Sequence, residues 1–179
     1  MQRYVAFLRG INLGKRRMAM NRLKALFEEL GFADVATFIA SGNVVFSSKA
    51  KDASRLESRI AKHLEAALGY QVDTFVRTAE EVAAIGRFDV FDDDVRNGGA
   101  CNVGFLHERL PPATARKLAA VRTENDQFRV IGREYYWFSR VGVAKSEVWK
   151  LPEVKALKLP DSTVRNMNTI RKLVAKHLG

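Results

Sequence analysis

The sequence predicts an α+β protein made of two ferredoxin-like βαββαβ sandwiches with a helical segment at its C-terminal end. Three observations carry this expectation. Short apolar runs rich in strand formers alternate with stretches of helical period. In the first half they follow the order β-α-β-β-α-β, the split βαβ arrangement. The second half repeats most of that order after a polar connector.

Residues 3–8 (Arg-Tyr-Val-Ala-Phe-Leu) form the first apolar run, closed by Gly10. Tyr4, Ala6 and Leu8 point one way and Val5 and Phe7 the other, so both faces of this strand are expected to be covered, by the other half or by terminal helices. An open RNA-binding sheet would instead expose stacking aromatics. Leu23, Leu26, Phe27 and Leu30 mark one face of a helix that stops at Gly31. Val35–Ala40 and Val44–Ser48 read as strands joined by Ser41-Gly42-Asn43, a tight-turn composition. Leu56, Ile60, Leu64 and Leu68 stripe a second helix ending near Gly69, and 71–77 is a further strand.

In the second half Cys101–Leu106 is a strand and Pro111–Val121 a helix with proline near its start, where a missing N–H matters least. A hairpin, 127–131 and 134–139, crosses Gly132-Arg133. A helical region comes next, around 148–157. A final helix from about Thr163 to Leu178 stands where a fourth strand would complete the pattern. This divides the chain into a first half over 1–86, a connector over 87–99 with Asp92-Asp93-Asp94 and Asn97-Gly98-Gly99, and a second half over 100–179. The repeat is one of topology, without convincing residue identity between the halves.

Composition narrows the class. The 179 residues are 47% apolar and 28% charged, enough for a sizeable core. The single Cys101 excludes internal disulfides and fits a reducing compartment. The N-terminus lacks a signal-peptide pattern, and no run approaches the roughly 18 apolar residues of a spanning helix. A soluble cytoplasmic protein without membrane contact is expected.

Charge is the most telling feature. Seven basic residues precede the first acidic one, Glu28. From Arg140 onward there are nine basic and three acidic residues, a net of +6, while 28–139 carries a net of −3. The whole excess of +10 therefore sits in the two ends, which are expected to build one anion-facing surface.

Two stretches suit an anion. Arg9-Gly10-Ile11-Asn12-Leu13-Gly14-Lys15-Arg16-Arg17 links the first strand to the first helix, with glycines for close backbone approach and cations for charge. It is neither a Walker A loop nor a dinucleotide fingerprint. From spacing alone, a strand-to-helix turn with a solvated basic rim is the simpler explanation of it. Asp161-Ser162-Thr163-Val164-Arg165-Asn166-Met167-Asn168-Thr169 opens the expected last helix, where Asp161, Ser162 or Thr163 caps it and Arg165, Asn166 and Asn168 stand near its positive end.

No catalytic constellation is evident. Ser41 has no histidine near it in sequence, His63, His107 and His177 form no pair at metal-ligand spacing, and neither metal nor cofactor is expected. Trp137, Trp149, Tyr135 and Tyr136 read as packing groups, and Cys101 as a small buried hydrophobe.

The stretches 5–14, 38–46 (Phe-Ile-Ala-Ser-Gly-Asn-Val-Val-Phe) and 163–169 (Thr-Val-Arg-Asn-Met-Asn-Thr), with Lys145-Ser146, resemble a bacterial family catalogued as domain of unknown function 1697. The resemblance implies a duplicated ferredoxin-like α+β fold in a cytoplasmic protein with no established activity. Met167 departs from it, since the family pattern has Trp there, and so does the more basic run Lys15-Arg16-Arg17.

The leading expectation is thus a non-catalytic binding protein for an anionic ligand, nucleic acid or a phosphate-bearing small molecule. Its ligand set is Arg9, Gly10, Asn12, Gly14, Lys15, Arg16, Arg17, Arg165, Asn166 and Asn168. The alternative is an enzyme on a phosphorylated or carboxylated small substrate, with Lys145 or Lys172 as acid/base. A scaffold that binds another protein through its basic face is the third reading.

Overall fold

The computed structural model describes residues 1–12, 17–39 and 42–179. The fold is mixed α+β, with two four-stranded antiparallel sheets and helices. It divides into two compact units, Met1–Gly86 with Lys172–Gly179, and Arg87–Arg171.

The first unit runs β1 (Gln2–Arg9), α1 (Met20–Glu29), β2 (Ala33–Phe38), β3 (Asn43–Ser48), α2 (Ala53–Leu68), β4 (Asp73–Thr78) and α3 (Ala79–Gly86). Its sheet order is β2-β3-β1-β4, every pair antiparallel. Tyr4, Ala6 and Leu8 join Val44, Phe46 and Val76 in a core with Leu23, Leu26 and Phe27 of α1 and Leu56, Ile60 and Leu64 of α2. Val5 and Phe7 on the other face are fully buried as well, as the alternation predicts. Local chemistry sets the helix ends. Asp52 caps α2 by accepting the Ser54 and Arg55 N–H groups, and Gly69, at φ 80°, ends it in a left-handed conformation.

Helix α3 was not expected from the sequence, yet its signal is there. Thr78-Ala79-Glu80-Glu81 is a capping box: Glu81 N–H donates to Thr78 Oγ1 and Thr78 N–H donates to Glu81 Oε1, both at 3.1 Å. The edge strand β4 is closed from the side. Val76 N–H donates to Glu57 Oε2 at 2.8 Å, and the buried Arg77 guanidinium lies 4.0 Å from the same carboxylate.

The second unit contains α4 (Asp92–Arg96), β5 (Ala100–Phe105), α5 (Pro112–Ala120), β6 (Asp126–Ile131), β7 (Glu134–Ser139), a 3-10 turn (Val148–Lys150), α6 (Pro152–Lys155) and β8 (Thr163–Asn166). Its sheet order is β6-β7-β5-β8, again antiparallel throughout. Helix α7 (Met167–Leu173) comes after β8, then a π-helical turn (Val174–Leu178) that belongs to the first unit and contacts α3 there. The expected second half ran to residue 179, but its last eight residues group with the first unit.

The expected helix start at Thr163 is corrected. Residues 163–166 form the missing fourth strand, because β5 offers a free edge and Thr163, Val164, Arg165 and Asn166 pair with Phe105, Gly104, Val103 and Asn102. The expected caps are occupied elsewhere: Ser162 Oγ bonds Tyr135 Oη at 2.9 Å and Thr163 Oγ1 accepts from Arg165 at 2.7 Å. Asn166 caps α7 instead, its Oδ1 accepting the Asn168 N–H at 2.8 Å.

Phe128, Tyr135 and Trp137 are core residues here, with Trp149 edge-on to all three, as expected of packing aromatics. Buried Asp126 ties this core to its loops. It accepts from Trp137 Nε1–H and Ser146 Oγ–H at 2.8 Å through Oδ1, and from Thr123 Oγ1–H at 3.0 Å through Oδ2. Ser146 of the Lys145-Ser146 pair is thereby a structural anchor.

The registers of the two sheets coincide at residue level, which was not seen in the sequence. Val5 stands opposite Arg77 and Val103 opposite Arg165. Around them Val5-Ala6-Phe7-Leu8 matches Val103-Gly104-Phe105-Leu106. Leu8 N–H donates to the Gly42 carbonyl (2.8 Å) and Leu106 N–H to the Arg133 carbonyl (2.9 Å), each across its own hairpin.

Two substitutions probe this packing. Gly104→Ala places a Cβ 2.1 Å from the Tyr135 ring and should lower stability by about 3 kcal/mol in urea unfolding. Asp126→Ala strands three donors and should cost a similar amount, about 3 kcal/mol. A loss under about 1 kcal/mol in either variant contradicts the packing described.

Candidate functional site

Arg9 ends β1, exposed and opposite Asp73 of β4. Gly10 turns the chain at φ 76°, and Ile11 returns to the core, its carbonyl accepting from Tyr70 Oη at 3.3 Å. Asn12 bridges to the residues before α1. Its Oδ1 accepts the Met18 N–H at 2.7 Å and its carbonyl accepts from the exposed Arg17 guanidinium at 3.5 Å. The Asn12 side-chain oxygen is therefore engaged in shaping the loop. Gly14, Lys15 and Arg16, like Ser41, lie outside the described residues.

The hairpin turn meets this loop at the same end of the sheet. Gly42 holds Leu8 N–H through its carbonyl, and a Cβ at Gly42 would stand 2.9 Å from Ile11 Cγ2 and 3.1 Å from Leu8 Cβ. With φ at 87°, glycine is required here twice over, by conformation and by contact. Asn43 is buried and donates through Nδ2 to the Phe38 carbonyl at 2.8 Å, which is hairpin chemistry as the sequence suggested. Two motifs some thirty residues apart thus form one structure, with Arg9 and Arg17 exposed beside it.

Next to the hairpin, Ile39 is half exposed at φ 58°, an uncommon conformation for a β-branched residue. Phe38 takes His177 edge-on at 5.7 Å, with Lys176 Nζ 5.9 Å from its ring. His177 Nε2 is buried with no hydrogen-bond partner among the described residues. Burial first, then Lys176 and Arg3, lower its pKa from the usual value.

In the second unit Arg165 is buried at 7% exposure and donates to Thr163 Oγ1 and, at 3.0 Å, to the Val164 carbonyl. Burial pulls its pKa down to about 10. It remains a cation at neutral pH, but as an interior residue of a strand and not at an exposed helix start. Asn166 and Asn168 are exposed and line a cleft of about 40 Å³ with Asp92, Gly99, Cys101 and Arg171. Arg171 donates to Asp92 Oδ1 at 3.0 Å, a pair 79 positions apart that no local pattern announces. The Cys101 thiol is pushed up to about 12 by burial, which leaves it un-ionised and inert near neutral pH. A cleft of this size takes a few water molecules.

Among the described residues no group of three His, Cys, Asp or Glu side chains could hold a metal ion, and no helix is long and apolar enough to cross a membrane. Residues 1–136 match the model of the family described as protein of unknown function (DUF1697). The chain belongs to that family. The matched span includes the 5–14 and 38–46 motifs and ends before the one at 163–169. No curated protein matches the chain. Among solved structures it is similar to the conserved bacterial protein SP0830 from Streptococcus pneumoniae, at 21% identity and a TM-score of 0.73 over 98% of this chain and 99% of that one. At that identity the likeness concerns the fold.

His177 offers a test of the first unit's geometry. Its folded pKa lies below the unfolded value, so the unfolded chain takes up the proton first as pH falls. Stability present above about pH 6.5 is then lost below it. The thermal midpoint should drop more between about pH 7.5 and about pH 5 in wild type than in His177→Gln. Parallel pH profiles would contradict the buried, unpartnered placement.

Proposed function

We propose that this protein binds an anionic ligand, nucleic acid or a phosphate-bearing small molecule, without transforming it, and that its two units are tandem ferredoxin-like modules. The duplication is supported by the shared strand orders and by the matching Val5–Arg77 and Val103–Arg165 registers. The binding reading is carried by one observation, the union of the 9–12 loop with the Gly42 turn. The buried Gly42 turn braces the loop at Leu8 and Ile11, and exposed Arg9 and Arg17 stand on that loop at one end of the sheet. Exposed cations flanking the Gly10 turn suit phosphate or carboxylate oxygens.

Arg9 and Arg17 supply charge in this reading, Gly10 gives backbone access, and Asn12 holds the loop in shape. Asn166 and Asn168 are exposed on the second unit and are not part of this loop. Arg165, being buried, is not included.

Fluorescence polarisation of a short labelled single-stranded RNA tests the reading, with inorganic phosphate as competitor. Binding should persist at about 200 mM salt and weaken about tenfold in Arg9→Gln/Arg17→Gln. The control Lys49→Gln/Lys51→Gln should change it about twofold or less. Equal losses in the two double variants would sink the idea of a defined site.

A further inference from the structure

Helix α2 carries a second cationic feature that neither the charge pattern nor the motifs single out. Ser54, Arg55, Ser58, Arg59 and Lys62 are all exposed and line a groove of about 330 Å³ along its outer face. Their spacing explains the alignment, since Arg55, Arg59 and Lys62 stand at i, i+4 and i+7 and the serines at i and i+4. The acidic residue within this stretch, Glu57, is turned inward to the Val76 N–H and Arg77. Asp52 at the cap pairs with Arg55 at 3.6 Å, and beyond Lys62 the Glu29 carboxylate meets His63 at 2.9 Å, so three cations face two flanking carboxylates.

Arg59 is held in place. Its guanidinium donates to the Leu30 carbonyl at the end of α1 and lies 5.3 Å from the centre of the Phe32 ring. Such ordering reduces the entropy lost when a ligand binds.

Direction matters as much as charge. Ser48, just before α2, pairs with Gln2 at the start of β1, whereas Tyr70, just after α2, reaches Ile11. Helix α2 therefore runs from the far end of the sheet toward the Arg9–Asn12 loop. Arg55 to Lys62 spans about 10 Å of helix axis. Over that length a nucleic-acid duplex presents about six phosphates. No aromatic side chain is among the large exposed hydrophobics of the described residues, so the face offers phosphate contacts and no stacking platform.

We infer that the outer face of α2 is a docking surface for the phosphate backbone of double-stranded nucleic acid, bound without regard to sequence. Arg55, Arg59 and Lys62 neutralise phosphates, and Ser54 and Ser58 donate to their oxygens. The inference rests on the anion-binding reading and deepens it, making the ligand a polyanion that tracks along the helix.

The test is anisotropy of two labelled 20-base-pair duplexes of unrelated sequence, titrated between about 50 and about 200 mM salt. Wild type should bind both equally. Arg55→Gln/Arg59→Gln/Lys62→Gln should lower the slope of log affinity against log salt by about 2.7, three contacts' worth. Because Arg59 also braces α1, Arg55→Gln/Lys62→Gln serves as a second variant, with an expected loss of about 1.8. A control triple of Arg116→Gln, Lys117→Gln and Lys155→Gln should move the slope by less than about 1. If stripe and control variants lose slope equally, or if one duplex is strongly preferred, the inference is overturned while phosphate-competed RNA binding at the Arg9–Asn12 loop keeps the first reading. If wild type binds neither duplex nor RNA at about 50 mM salt, both readings fall.

Discussion

Strand β1 has no polar face, and the first unit is arranged around that constraint. Side chains from Tyr4 to Leu8 are buried on both sides of the sheet, so β1 must lie between other strands and under cover on each face. One cover is the helix pair α1 and α2, whose leucine stripes meet Tyr4, Ala6 and Leu8. Helix α3 packs against β1 and β4. Once β1 is central, its C-terminal end meets the hairpin between β2 and β3, and the Leu8 N–H finds the Gly42 carbonyl. The candidate loop is where it is because an apolar strand has to stop being buried there.

The same logic recurs in the second unit with different residues. Val103, Phe105 and Leu106 keep the apolar pattern, but Gly104 replaces Ala6 because the Tyr135 ring fills the space of a side chain. Each fourth strand carries a buried arginine opposite the central valine. Burying a cation is unfavourable unless its donors are satisfied. Arg77 and Arg165 both donate to the carbonyl of the preceding residue, and each has a further polar group close by, Glu57 or Thr163. Asp126 answers the equivalent problem for a buried carboxylate with three donors. Such hydrogen-bonded interior groups favour one arrangement of loops against each sheet, since an alternative arrangement would strand them.

Much of the fold was legible because it depends on period and punctuation. The strands of the first half and the Leu56-Ile60-Leu64 stripe follow from alternation and helical spacing, and Gly31 and Gly69 mark real helix stops. Helix α3 was legible in principle, through the Thr78–Glu81 capping box. The stretch 163–169 reads differently in sequence and in structure for a physical reason. Asp161, Ser162 and Thr163 are good capping residues, but a free edge on β5 competes for the same backbone and wins. Caps are local, whereas ladder pairing is not, so the sequence there favours two answers and packing selects one.

By itself the sequence determined which residues must be hidden, where the chain must turn, and that cations concentrate at its two ends, because these follow from side-chain chemistry and local spacing. Only the tertiary structure decided which polar residues reach solvent. Arg165 went inside with strand β8, Asn12 was drawn into closing its own loop, and Arg55, Arg59 and Lys62, already aligned by their spacing, were left facing outward while Glu57 turned to the β4 edge. Exposure of a charged side chain depends on what the rest of the chain places beside it, and that information is not local.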